Sequence, residues 1–244
     1  MKQLARVGLI LAVVAAAAGL TAAFGYQAGL MSIRMSLLTV LRYAAYGGGA
    51  AAVVSLIALI GLLANRNRPS GAVTLALAGL VIGSVVIGVP GLQRYESQRN
   101  GYPSIHDITT DVDDPPVFVD VLPLRATAPN KVEYGGPKIA ALQQRAFPDL
   151  KPITLNVPPD QAFDRALAAV KAMGWDLVAA NREARRIEAT DTTFWFRFKD
   201  DVVIRLRPAD GGTRVDIRSL SRVGGGDVGT NAKRIRAYVR RLVS

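Results

Sequence analysis

The first 93 residues contain no aspartate or glutamate and only six cations: Lys2, Arg6, Arg34, Arg42, Arg66 and Arg68. Between those cations lie three uncharged apolar runs, Val7–Ile33, Tyr43–Ala64 and Gly71–Leu92. A helix rises about 1.5 Å per residue, so roughly 20 residues cross the roughly 30 Å hydrocarbon core of a bilayer. Each run is long enough, and the pattern predicts three transmembrane helices at about 4–30, 43–64 and 71–92 within a membrane segment 1–93. The first run also resembles a signal peptide, because Ala15–Ala18 and Thr21–Ala23 offer small-residue cleavage sites. It exceeds the roughly 7–15 residues of a signal-peptide apolar stretch, which favours a retained helix.

Cations decide orientation. Lys2 and Arg6 precede the first run, and Arg66 and Arg68 lie in the short Asn65–Ser70 turn between the second and third. Both groups are expected on the cytoplasmic side, with Arg34 and Arg42 opposing them. Cleavage of the first run would leave the other two helices oriented the same way. The C-terminal region is therefore expected outside the cytoplasm. Gly79-x-x-x-Gly83 and Gly47–Ala52 present small residues that let helices approach closely. They serve either packing among these three helices or homo-oligomerisation. No acid or histidine lies within a run, so a proton or ion pathway has no candidate and the segment reads as an anchor.

The remainder has a different composition. Residues 94–244 hold every one of the 19 acids. The mean hydropathy of +0.23 therefore averages a membrane segment and a water-soluble one. The chain has no cysteine and one histidine, His106, which excludes disulfides, thiolate chemistry, Cys-ligated zinc and sites built on several imidazoles. No G-x-S-x-G elbow is present. No cofactor, metal or catalytic residue is expected from these features.

Residues 94–150, rich in Pro, Gly and Asp, read as an extended lead-in with little regular structure before 137–147. From Lys151 the pattern is that of an α+β domain, 151–244. Ile153, Leu155 and Val157 alternate as a strand. Pro159 and Asp160 open a helix whose stripe is Phe163, Leu167 and Val170, ended by Gly174. Four β-patterned segments follow, at 175–180, 186–198, 202–207 and 213–219, and then a helix carrying Val228, Ala232, Ile235, Val239 and Leu242. The order strand, helix, four antiparallel strands, helix predicts a meander with both helices on one face.

Parity refines this. Ile187 and Ala189 point inward at odd positions, whereas Phe194, Phe196 and Phe198 would do so at even ones. The register must shift between them, by a bulge within Thr190–Thr193 or a barrel-like bend. The same parity puts Trp195, Arg197, Arg205, Arg207, Arg214 and Arg218 on the face away from the helices, with Asp216 among them. Such a face would cradle an anion, because guanidinium pairs bidentately with carboxylate or phosphate. The plainer alternative is a solvated face with cross-strand pairs.

Two motifs carry less than they suggest. Gly224–Gly229 matches G-x-G-x-x-G, but no parallel strand returns after it, and Asp227 would sit where a pyrophosphate belongs. A glycine-rich helix entry capped by Asp227 accounts for it better. Asn231, Lys233 and Arg234 could hold a small anion at that helix start. His106-Asp107 with Asp111, Asp113 and Asp114 lacks EF-hand spacing and reads as a turn closed by Pro115-Pro116.

Ile105–Asp111 followed by Pro115-Pro116, Gly174-Trp175, Glu188–Thr192, Asp201–Arg205 and the stretch Arg218 to Ile235 together resemble a bacterial family catalogued as domain of unknown function 1499. The resemblance covers about 102–242. It implies an extracytoplasmic envelope domain, carries no established activity, and marks His106, Asp107, Asp191, Arg205, Ser221, Arg222, Asp227 and Asn231 as a family pattern. Other branches open with a cysteine-containing stretch that this chain lacks. The leading expectation is a protein anchored in the bacterial inner membrane whose extracytoplasmic domain binds an anionic lipid, cell-wall polymer or acidic envelope protein through the arginine face. A non-catalytic scaffold and, more remotely, a hydrolase-type enzyme using His106 with Asp107 or Asp191 are the alternatives. Nucleic acid suits the pI of about 10.3 but not the topology.

Overall fold

A computed structural model describes residues 1–67 and 69–244, so Arg68 lies outside the described residues. The chain divides into two compact units, Met1–Glu96 and Ser97–Ser244. The first is helical: α1 (Lys2–Gln27), a π-helical turn (Met35–Val40) running directly into α2 (Leu41–Leu63), and α3 (Ala72–Arg99). All three are long and apolar enough to cross a membrane.

The second and third helices exceed their apolar runs. The second starts about two turns before Tyr43, so Arg42 lies within the helix, not in a loop, with Nε 3.0 Å from the Tyr46 hydroxyl. The third continues seven residues past Leu92 to Arg99. Hydropathy marks what lipid accepts; a charged helical turn is equally well hydrogen-bonded, so it does not end the helix.

Gly79 and Gly83 face the chain's own helices. A β-carbon on Gly83 would lie 2.6 Å from the Gly48 carbonyl and 2.8 Å from the Ala52 nitrogen; one on Gly79 would strike the Ser55 hydroxyl and Leu9. The small residues are there because backbones pass at contact distance. Ala5, Ala58, Leu62, Ala72 and Ala76 complete this packing.

The second unit is α+β. Its strands are β1 (Asp107–Thr109), β2 (Ile153–Leu155), β3 (Asp176–Asn181), β4 (Arg186–Thr192), β5 (Lys199–Ala209) and β6 (Gly212–Ser221). β3 to β6 form an antiparallel meander, and β1 and β2 pair with successive stretches of β6. Helices α4 (Gly136–Ala146), α5 (Pro159–Ala172) and α6 (Thr230–Val243) complete it. α5 and α6 cover one face: Phe163, Ala166 and Val170 with Ile235, Tyr238 and Leu242 enclose Ile187, Ile204 and Ile217. Trp175 stacks on Tyr238 with ring centroids 5.4 Å apart, and the buried Tyr238 hydroxyl donates to the Ala166 carbonyl.

Two expectations need correcting. The strand expected over 186–198 ends at Thr192, and 193–198 is the connection of the β4–β5 hairpin. The Thr193 amide donates to the Phe198 carbonyl, and the Thr193 hydroxyl accepts the Phe198 amide. Phe194 is therefore 80% exposed instead of buried. The register irregularity lies between Leu177 and Ala179 on the edge strand β3, not within 190–193. Alternating aromatics imitate a strand, but here they belong to a turn in which Arg197 takes φ +54°.

The second correction concerns the lead-in. Its residues 107–109 are a sheet strand, and the segment that follows lies across the sheet face opposite α5 and α6. Phe118 and Val121 pack there on Val203 and Leu220, and a 3-10 turn (Leu122–Arg125) follows. A three-residue strand and isolated apolar residues leave no period to read.

Candidate functional site

Strand alternation brings Arg205, Arg207, Arg214 and Arg218 onto the face away from α5 and α6, together with Asp216. Cross-strand pairing sets Arg205 beside Asp216 and Arg207 beside Arg214. The expected open surface is instead crossed by the strap 110–134, whose acids Asp111 and Asp114 meet the first three of these arginines and whose Val132 carbonyl meets Arg218. Covering partly desolvated guanidiniums without counter-charges would be costly. Asp111 and Asp114 of the strap join Asp216 of β6 in supplying them to Arg205, Arg207 and Arg214, and Asp107 of β1 supplies that of the buried Arg218.

Three of the arginines form one cluster. Asp111 Oδ2 accepts from Arg205 Nη2 at 3.3 Å, Arg207 Nη2 at 3.0 Å and, closest, Arg214 Nη2. The fully buried Asp216 accepts from Arg207 Nη2 at 2.7 Å and from Arg214 Nε at 2.8 Å. Asp114 Oδ2 accepts from Arg207 Nη1 at 2.7 Å, and its backbone carbonyl from Arg205 Nη2. The three acids are not equivalent, for the Asp114 side chain is 62% exposed. Desolvation pushes the Asp114 carboxyl up, but Arg205 and Arg207 outweigh it and hold the group below its ordinary value. Desolvation acts against the charge on Arg207, and Asp216, Asp114 and Asp111 reverse that, so its pKa is raised. Beside the cluster is a recess of about 510 Å³ lined by Arg214, Asp111, Asp113, Thr110, Lys151 and Phe147.

Arg218 stands apart. It is buried, forms a two-pronged pair with Asp107 at 2.9 and 2.8 Å, and donates to the Pro116 and Val132 carbonyls. The Phe118 and Tyr134 rings lie against its guanidinium. Trp195 and Arg197 are on the β4–β5 turn, outside the sheet face, so the six candidate residues do not form one surface.

The family-pattern residues form hydrogen-bonded knots. The cap residue of α6 is Gly229, at φ +80°, and not Asp227; from two residues before it, Asp227 accepts the Gly229 and Asn231 amides. Asn231 donates to the His106 carbonyl and the Ser221 hydroxyl, and accepts from Ser219. Arg234 ties this group to Asp191 and Asp200. Arg222 joins Arg125 on the buried Asp201. His106 lines a cleft of about 360 Å³ with Asn130, Lys131, Glu133 and Gly225, and its Nδ1 is buried without a hydrogen bond. His106 joins this network only through its backbone carbonyl, Asp191 joins it through Arg234, and Asp107 is held by Arg218.

Sequence reasoning missed Glu188, Arg125 and Asp201. Glu188 is fully buried on β4, between β3 and β5, and accepts the Val119 and Val121 amides, both at 2.8 Å. The available signal is parity: Glu188, Asp201 and Asp216 fall on the same face as the arginines, and buried acids require donors. Among the described residues no group of three or more His, Asp or Glu is arranged to hold a metal ion.

No curated protein and no solved structure matches the chain. A family model described as "Protein of unknown function (DUF1499)" matches residues 107–242, which begins at β1 and spans the strap, the sheet and α6. That match covers more than half of the chain, and the chain therefore belongs to the DUF1499 family.

Proposed function

We propose that this is a membrane-tethered binding module of the cell envelope that engages a carboxylate- or phosphate-bearing ligand at the exposed margin of the arginine cluster. The observation that carries this reading is the threefold guanidinium contact on Asp111 Oδ2. A cluster that holds one carboxylate oxygen with three donors has the geometry an anionic ligand needs. Arg207 and Arg214, whose side chains are just over one third exposed, and Lys151 on the rim are the residues a ligand reaches. Asp114 is the competitor it displaces. The tether is the three apolar helices. The cations Lys2, Arg6 and Arg66 support an orientation with the N-terminus and the second turn in the cytoplasm and the soluble unit outside an inner membrane.

The test titrates the full-length protein in phosphatidylcholine nanodiscs with poly-glutamate and with inorganic polyphosphate. Binding that falls with salt, is lost in Arg207→Gln/Arg214→Gln and strengthens in Asp114→Asn supports the reading. Equal binding by all three proteins discards it. A second reading, that the cluster only fastens the strap, is favoured by its balanced charge, three arginines on three aspartates. Under that reading the double variant lowers the melting temperature and no protein binds either probe.

A further inference from the structure

We propose that the β4–β5 hairpin tip, Thr193–Lys199, is a second membrane contact that seats the soluble unit on an anionic phospholipid bilayer. The tip reads Thr-Phe-Trp-Phe-Arg-Phe-Lys: four aromatics and two cations in seven residues, with no acid. Phe194 and Trp195 are 80% and 57% exposed and pack edge to face. Phe196 and Phe198, half-buried, stack on each other with centroids 5.1 Å apart. The stacked pair stiffens the tip, and the hydrogen bonds between Thr193 and Phe198 close its neck, so two large rings project from a braced support.

A neighbouring segment extends the apolar surface. Arg222 donates its backbone amide to the Lys199 carbonyl and its Nη1 to the Leu124 carbonyl, which places Leu124 beside the base of the hairpin. Leu124 and Leu122 are both exposed. Exposed Trp, Phe and Leu flanked by Arg and Lys form the composition of a bilayer interface, where rings sit at headgroup depth and cations meet lipid phosphates. The occupant follows from the rest of the chain. The soluble unit begins at the end of an apolar helix long enough to cross a membrane, so a bilayer is the partner always within its reach. This inference rests on the reading that the helices span a bilayer and is independent of the arginine cluster.

The experiment uses the full chain in proteoliposomes of phosphatidylethanolamine and phosphatidylglycerol carrying brominated acyl chains. Trp175→Phe leaves Trp195 as the only tryptophan. Carbonate-resistant flotation reports the spanning helices; quenching reports the hairpin. The expected result is loss of most Trp195 emission, recovered in Arg197→Glu/Lys199→Glu. Should Trp175→Phe fail to fold, Phe194→Cys with a nitroxide replaces it, since the chain has no other cysteine; the label is then expected to be more accessible to oxygen than to a nickel chelate. Emission unchanged by brominated lipid in protein that floats overturns the proposal. A blue shift that instead grows with protein density assigns the tip to a second copy, and overturns it equally.

Discussion

Glu188 shows how one side chain decides whether the strap stays down. It lies on β4 with no exposure, and each carboxylate oxygen accepts one amide of the strap, from Val119 and Val121, while Arg186 lies 2.9 Å from Oε1. Glu188→Ala leaves Val121, itself fully buried, without an acceptor, at about 1–3 kcal/mol for that group and less for the half-solvated Val119. The expected outcome is an unfolding free energy lowered by about 3 kcal/mol in all, read from the shifted denaturation midpoint, with new proteolytic cleavage within 112–125. Tyr134 gives the opposite sign. Burial first, and Asp107 next, push its phenol up to about 12, and its hydroxyl is buried without a hydrogen bond. Tyr134→Phe removes that hydroxyl and keeps the ring against Arg218, so the melting temperature should hold or rise, by up to about 1 kcal/mol in stability.

Among the elements, the strap and β1 make the fold larger than its periodic part. A chain beginning at residue 151 retains the meander, α5 and α6 but loses Asp107, Asp111, Asp114 and Arg125, leaving Arg218 without its carboxylate, the Arg205 cluster with Asp216 alone and Asp201 with Arg222 alone. Uncompensated buried charge costs about 3–5 kcal/mol per broken pair, which is a large share of a small domain's stability. Circular dichroism and amide NMR dispersion should show a chain of 97–244 folded and one of 151–244 not. Alternation made β3 to β6 legible, with the two helices and the common face of the four sheet arginines. Nothing in the sequence marks β1, because three residues carry no period, or tells a strand of alternating phenylalanines from a turn. α6 adds a pH dependence. Asp149 accepts both Arg236 bonds, at 2.6 and 2.7 Å, which outweighs partial desolvation and lowers its pKa. A carboxylate depressed by folding stabilises fully above its ordinary value of 3.8, and that contribution is lost as the pH falls from there through the depressed value. Asp149→Asn should therefore be less stable than the parent at neutral pH and converge on it in acid melts.

For the whole molecule, the division into Met1–Glu96 and Ser97–Ser244 means that the two units are stabilised by different physics and should fail separately. The soluble unit rests on an apolar core beneath α5 and α6 and on ion pairs over the other face of its sheet. The helical unit gains little from burying apolar surface in lipid, so close packing of small residues holds it together. Gly83 is where the difference can be read. Its missing β-carbon would lie 2.6 Å from the Gly48 carbonyl, a backbone atom that cannot move aside as a flexible side-chain end could. Gly83→Leu must push α3 away from α2 at a cost of about 1–3 kcal/mol. In detergent, the unfolding transition of the helical unit should move to lower temperature while that of the soluble unit, followed by near-ultraviolet signals of Trp175 and Tyr238, stays in place. If both transitions moved together, the units would be energetically coupled. The tether would then govern the stability of the domain as well as its location, and the arginine cluster would no longer act independently of the membrane helices.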